Sequence, residues 1–211
     1  DLYSISTHVT IEEGQSTAPY TLRVSKGIYQ MKYMTNHEDC VPYGYYSTLG
    51  TVYDPGYMDY VFVAGDVNNI DLDLMKWRTI NGVVSLPNGE IAPEDGIQVY
   101  IAAMGAYYSG SYFVIPEGAF SQAFSVKVPE GIYRLRYVMF SSDYLQSGFY
   151  SEKVTVYDYD SADEIFVEDD DVFDKNIEVL KGLIISGTVS LPMGETAPAE
   201  SLGVCENQAV D

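Results

Sequence analysis

Positive charge, histidine, cysteine and tryptophan are all scarce in this 211-residue chain, and each shortage removes a class of function. Eleven Lys and Arg stand against 31 Asp and Glu, for a formal net charge of −20. A surface this negative repels phosphate backbones and anionic headgroups, so nucleic acids and membrane surfaces are poor candidates as partners. No apolar run is long enough to span a bilayer, so no membrane insertion is expected. The two histidines, His8 and His37, sit in no nucleophile or metal motif. Cys40 and Cys205 lie far apart with no CxxC, which argues against the common zinc and redox spacings and leaves a disulfide or two free thiols. There is no GxSxG, no P-loop and no GxGxxG leading into a helix, so no enzyme, catalytic residue or cofactor is expected. No secretory leader and no initiator Met precede Asp1, which reads as a processed chain or a segment of something longer.

What the chain does have is tyrosine, 20 of them beside 8 Phe and a single Trp, with 18 Gly and 9 Pro between them. Aromatic and β-branched residues suit pleated, half-buried surfaces, and Gly and Pro supply turns. No segment keeps a helical period. In residues 131–137, Tyr133, Leu135 and Tyr137 alternate with Arg134 and Arg136, the mark of a strand with one buried face. Further strands are expected at 119–128, 151–156, 165–167 and 176–180, with turns at Pro87, Pro116 and Pro129.

The chain also repeats itself. The stretch 79–93 returns at 184–198, Gly82 becoming Gly187, a shift of 105. The start of the chain matches its middle at a shift of 104. Gly27, Ile28 and Tyr29 lie over Gly131, Ile132 and Tyr133, and Gly44, Tyr45 and Tyr46 over Gly148, Phe149 and Tyr150. One copy is complete, 78–182. Residues 1–77 are the later part of another copy, and 183–211 the first part of a further one. About seven short strands per hundred residues predict an all-β fold of tandem Greek-key β-sandwich repeats, one complete and one split between the chain ends.

Gly82, Val84, Leu86, Pro87 and Gly89, followed by Val128, Pro129, Glu130, Gly131, Tyr133 and Leu135, resemble the carboxypeptidase regulatory-like, or transthyretin-like, β-sandwich repeats common on bacterial surface proteins. The resemblance covers nearly the whole chain. It implies a sandwich fold in an extracellular or cell-surface setting and carries no catalytic residues. The acidic run at 168–174 departs from the first copy, which has nothing so charged there.

A sandwich without its first strands exposes an apolar face and unpaired edges. The missing strand types occur at 183–211, with Ile185, Val189, Leu191, Leu202 and Val204 as the apolar positions. Joined head to tail, the break falls inside one surface loop. Two arrangements satisfy this. Closure of the ends on each other within a chain would force it back around a folded sandwich. Donation of these strands from one copy to the next avoids that and gives a homopolymer, an open filament. Cys205 stands where the complete copy has Tyr100, and Cys40 where it has Tyr144. If those tyrosines are neighbours, a Cys40–Cys205 disulfide would lock the donated strands.

Two ligand readings are weighed against plainer ones. Asp158, Asp160, Asp163, Asp169 and Asp171 offer oxygen ligands of the kind calcium takes, whereas charge runs are usually solvated loops. Tyr43, Tyr45, Tyr46 and Tyr53, with Tyr144, Phe149, Tyr150 and Tyr157, would suit stacking on a glycan. Their recurrence in both copies favours packing instead.

Overall fold

The computed structural model describes residues 4–105, 107–141, 143–183, 185–188 and 190–191. The chain divides into two compact units, 1–181 and 182–211. The described residues hold no α-helix, only two short 3-10 turns at Pro55–Tyr57 and Pro87–Gly89. None of their helices is long and apolar enough to cross a membrane.

Twelve strands run through the described residues of the first unit. In chain order they are β1 (Gly27–Gln30), β2 (Lys32–Met34), β3 (Tyr43–Tyr45), β4 (Tyr60–Val63), β5 (Arg78–Ser85), β6 (Ile97–Gly105), β7 (Ser109–Ile115), β8 (Ser121–Val128), β9 (Gly131–Met139), β10 (Ser147–Phe149), β11 (Ile165–Val167) and β12 (Ile177–Glu178).

The last eight build a sandwich. One sheet has the order β10-β9-β6-β7, with β11 also paired to β9; the other has the order β12-β5-β8. β5 pairs antiparallel with β8 over its whole length, from Arg78 opposite Val128 to Ser85 opposite Ser121. On its other edge it runs parallel to β12, Ile177 opposite Val84. Period-two patterning decides which side chains meet. Ile80 and Val84 of β5, Val99 and Ile101 of β6, Phe124 and Val126 of β8, and Tyr133, Leu135 and Tyr137 of β9 all enter one core. Arg134 and Arg136 stay on the outer face of β9, as the alternation predicts.

Two of the expected strands differ. The segment 151–156 forms only an isolated bridge, Val156 with Phe149, because its backbone turns at 152–154. The segment 176–180 shortens to β12, beyond which Leu180 N–H donates to the Tyr137 hydroxyl at 3.0 Å instead of extending the ladder. Strand β7 carries less apolar alternation and was not among the strands expected by name; its pairing to β6 places it.

Of the second unit, residues 182–183, 185–188 and 190–191 are described, without strand pairing. Leu183 and Ile185 are almost fully exposed, Ile185 at 98%.

One glycine sets a tolerance. A Cβ at Gly82 would lie 2.2 Å from the Lys175 carbonyl oxygen and 2.8 Å from Phe124 Cζ, so β5 is glycine where the Phe124 ring crosses it. Gly82→Ala is expected to lower stability by about 1–3 kcal/mol, the usual cost of overpacking a dense core. Urea denaturation reads it. An unchanged midpoint would contradict the close approach.

Candidate functional site

Residues 27–76 rebuild the second half of the sandwich bond for bond. Gly27 opposite Val63 in β1 and β4 repeats Gly131 opposite Val167 in β9 and β11. Tyr33 opposite Gly44 in β2 and β3 repeats Tyr137 opposite Gly148 in β9 and β10. The bridges follow, Tyr45 with Val52 as Phe149 with Val156, and Cys40 with Lys76 as Tyr144 with Lys181.

Side chains repeat as well. Met75 N–H donates to the Tyr33 hydroxyl at 3.0 Å, as Leu180 N–H does to Tyr137 at 3.0 Å. Burial pushes the pKa of both phenols up, while these N–H donors pull it down. Thr48 N–H donates to Asp59 Oδ2 at 2.8 Å, as Glu152 N–H does to Asp163 Oδ2 at 2.8 Å.

What differs is cover. In the complete copy Tyr133, Leu135 and Tyr137 are sealed, at 0–1% exposure. Their counterparts Tyr29, Met31 and Tyr33 are only half-buried. Phe124, Val126 and Val128 of β8 are buried, whereas Tyr20, Leu22 and Val24 are half-buried along a segment that pairs with no strand among the described residues. Ile177 and Val179 are buried, yet Leu72 is half-buried and Leu74 exposed. In the complete copy the corresponding strands flank β5, which pairs with β8 and β12, and β6, which pairs with β9. Among the described residues, segment 4–77 thus carries apolar positions less buried than their counterparts, and these positions are the candidate site. The acceptor edge at 18–24 escaped the sequence reading, although the alternation of Ala18, Tyr20, Leu22 and Val24 was there to find.

The strands expected to fill the face are partly described. Ile185 is exposed and Leu191 is 37% exposed, while Val189, Leu202 and Val204 lie outside the described residues.

The described residues contain one of the two cysteines proposed for the disulfide. Cys40 is half-buried beside Lys76, and Cys205 lies outside the described residues. In the complete copy Tyr144 belongs to the core and donates its hydroxyl to Glu90 at 2.9 Å. Tyr100 lies on the other face of β6, its ring 4.3 Å from that of Tyr112. Tyr144 thus faces the core, whereas Tyr100 lies on the outer face of β6.

The five aspartates proposed for calcium are not gathered either. Among the described residues no three His, Cys, Asp or Glu side chains converge on a metal position. Asp158 accepts from the N–H and hydroxyl of Ser161, Asp163 from Glu152 N–H, and Asp171 from Thr79 N–H at 2.7 Å. Asp160 and Asp169 are exposed in loops. Three of the carboxylates therefore hold turns and strand ends by accepting from backbone donors.

The tyrosines named as glycan platforms are mostly engaged in packing. Tyr43 stacks on Tyr53 at 4.8 Å, and Tyr53 meets Tyr107 edge-on at 4.7 Å. Tyr150 lies under the Lys175 ammonium.

No family model matches the chain, and no curated protein matches it. Among solved structures, it is similar to a leucine-rich repeat protein from Bacteroides thetaiotaomicron, at 14% identity and a TM-score of 0.29. The likeness covers 75% of this chain but 20% of that one, too slight to carry an argument.

The duplicated aspartate clamps have a pH consequence. Thr48 N–H, with the Thr48 hydroxyl, holds Asp59 below the usual carboxylate range; Glu152 N–H does the same for Asp163. A folded-state pKa below the unfolded value stabilises the fold above the unfolded value and loses that contribution as pH falls through the folded one. Stability is expected to drop as pH falls below about 4, and Asp59→Asn with Asp163→Asn to flatten that drop. Urea midpoints between pH 2 and 6 measure it; parallel profiles would contradict the clamps.

Proposed function

We propose that the chain is a structural module of an extracellular fibre or repetitive cell-surface protein, whose half-sandwich is completed by β-strands donated from a neighbouring copy. One observation carries the reading. Core positions sealed in the complete copy are only half-buried in 4–77, although the hydrogen bonds around them are already in place.

Energetics favour whole strands as the occupant. Fully burying one large apolar side chain gains roughly 1.5–3 kcal/mol. Association itself costs on the order of 4–15 kcal/mol. A single side chain cannot offset that, whereas strands covering Tyr20, Leu22, Val24, Tyr29 and Met31 together can. Residues 183–191 carry the matching apolar positions, of which Ile185 is exposed. The extracellular setting rests on the sequence likeness to surface repeats, and donation between copies is favoured because closure within one chain would fold it back around an intact sandwich.

A glycan-binding role is the second reading, favoured by a different set of tyrosines. Tyr108 and Tyr112 are 60% and 73% exposed beside Tyr100 on the outer face of β6 and β7. Desolvation and the Tyr108 hydroxyl push the Tyr100 pKa up to about 12. Their counterparts are Ser4, His8 and Cys205, so packing in the repeat does not require these rings.

Light scattering over a concentration series tests the first reading. Mass is expected to rise with concentration for the native chain and to stay monomeric for Ile185→Asp; a native chain monomeric throughout would contradict it. For the second reading, Tyr112→Ala is expected to abolish retention on immobilised neutral polysaccharide, and equal elution of both proteins would remove it.

A further inference from the structure

Resting on the strand-donation reading, we infer the register in which donor and acceptor meet: residues 183–190 run antiparallel along 17–24, with Ser190 opposite Thr17, Gly187 opposite Tyr20, Ile185 opposite Leu22 and Leu183 opposite Val24.

The complete copy supplies the template. There Ser85 lies opposite Ser121, Gly82 opposite Phe124 and Ile80 opposite Val126. Carried over by the repeat, each of these pairs keeps its chemistry. Ile80 and Val126 are both in the core, and Ile185 and Leu22 are both apolar. Gly82 is glycine because the Phe124 ring crosses it, and Gly187 meets another ring, Tyr20.

The far edge of the donor is matched too. Val84 runs parallel to Ile177, and their counterparts are Val189 and Leu72. Val83 N–H donates to the Asn176 side chain at 2.9 Å, and Asp71 keeps an acceptor at that place, facing Thr188.

Charge fixes the end of the segment. Glu90 accepts from Lys181 and from Tyr144, tying the turn after β5 to the last strand of the sandwich. The counterparts of Glu90 and Lys181 are Glu195 and Lys76, again of opposite sign. In a chain of net charge −20, a cation at the acceptor's rim is what admits an acidic donor.

The match ends further along. Ile101 and Ala103 of β6 are fully buried, but their counterparts are Glu206 and Gln208. Recognition is therefore carried by 183–195, with Leu202 and Val204 adding a short second strand.

The test is a cysteine pair in a chain carrying Cys40→Ala and Cys205→Ala. Directly opposed strand residues have Cα atoms about 4.5–5.5 Å apart, within reach of a disulfide. Thr17, Gln15 and Ser190 are all exposed, so substituting them spares the core. Under mild oxidation Thr17→Cys with Ser190→Cys is expected to give a ladder of linked chains on non-reducing gels. Gln15→Cys with Ser190→Cys, slipped by two residues, is expected to give none.

Adding Gly187→Val to the first pair is expected to reduce the linked fraction ~10-fold, equivalent to about 1.4 kcal/mol. Equal or stronger linking of the slipped pair, or assembly by mass without linking at 17 and 190, would overturn the register while leaving strand donation standing. Linking confined to monomer-sized bands would keep the register and overturn donation between chains. No linking together with a monomeric native chain would overturn both.

Discussion

A β-sheet with one apolar face has to cover that face, and in this molecule the same half-sheet is built twice and covered once. In the complete copy β5 of one sheet and β6, paired to β9 in the other, complete the core that holds Tyr133, Leu135 and Tyr137. In 27–76 the ladder, the glycine under Tyr33 and the aspartate clamp recur, with the apolar side chains Tyr29, Met31 and Tyr33 only half-buried. The arrangement has the shape of an acceptor. Its backbone is set before the last strands arrive, so docking would order mainly the incoming segment, which lowers the conformational cost of binding.

Charge and aromatic content fit the same frame. With 31 acidic residues, copies of the chain repel one another at a distance. An exposed apolar face would otherwise invite indiscriminate association. Pairing then depends on local complementarity, of which Lys76 and Glu195 are the clearest instance. The tyrosines divide in two. Tyr43, Tyr53 and Tyr107 pack against one another, while Tyr108 and Tyr112 stand out in solvent.

The repeat was legible because strand pairing at period two leaves its mark on residue identity. Gly44 and Gly148 recur because a Cβ at either would lie 2.6 Å from the ring of Tyr33 or Tyr137. Tyr29, Met31 and Tyr33 recur as apolar positions because their counterparts form the core. Faces were harder to read than positions. The suggested neighbourhood of Cys40 and Cys205 took Tyr100 and Tyr144 to share a face, and one step of alternation separates β6 residues that meet the core from those that do not. The acidic loops misled in another way. A run of aspartates looks like a ligand set in one dimension, but Asp158, Asp163 and Asp171 each spend an oxygen on a nearby backbone N–H. The parallel pairing of β12 with β5 left no sequence signature at all, being two residues long.

Hydrogen exchange at the amides of 18–24 addresses the central claim most directly. These residues belong to no strand among the described residues. On adding a synthetic peptide of sequence 183–211 to the full-length chain, the account predicts slowed exchange in alternate amides of that stretch, together with slowed exchange in 27–34. Unchanged exchange at saturating peptide would mean that the open face does not take these strands.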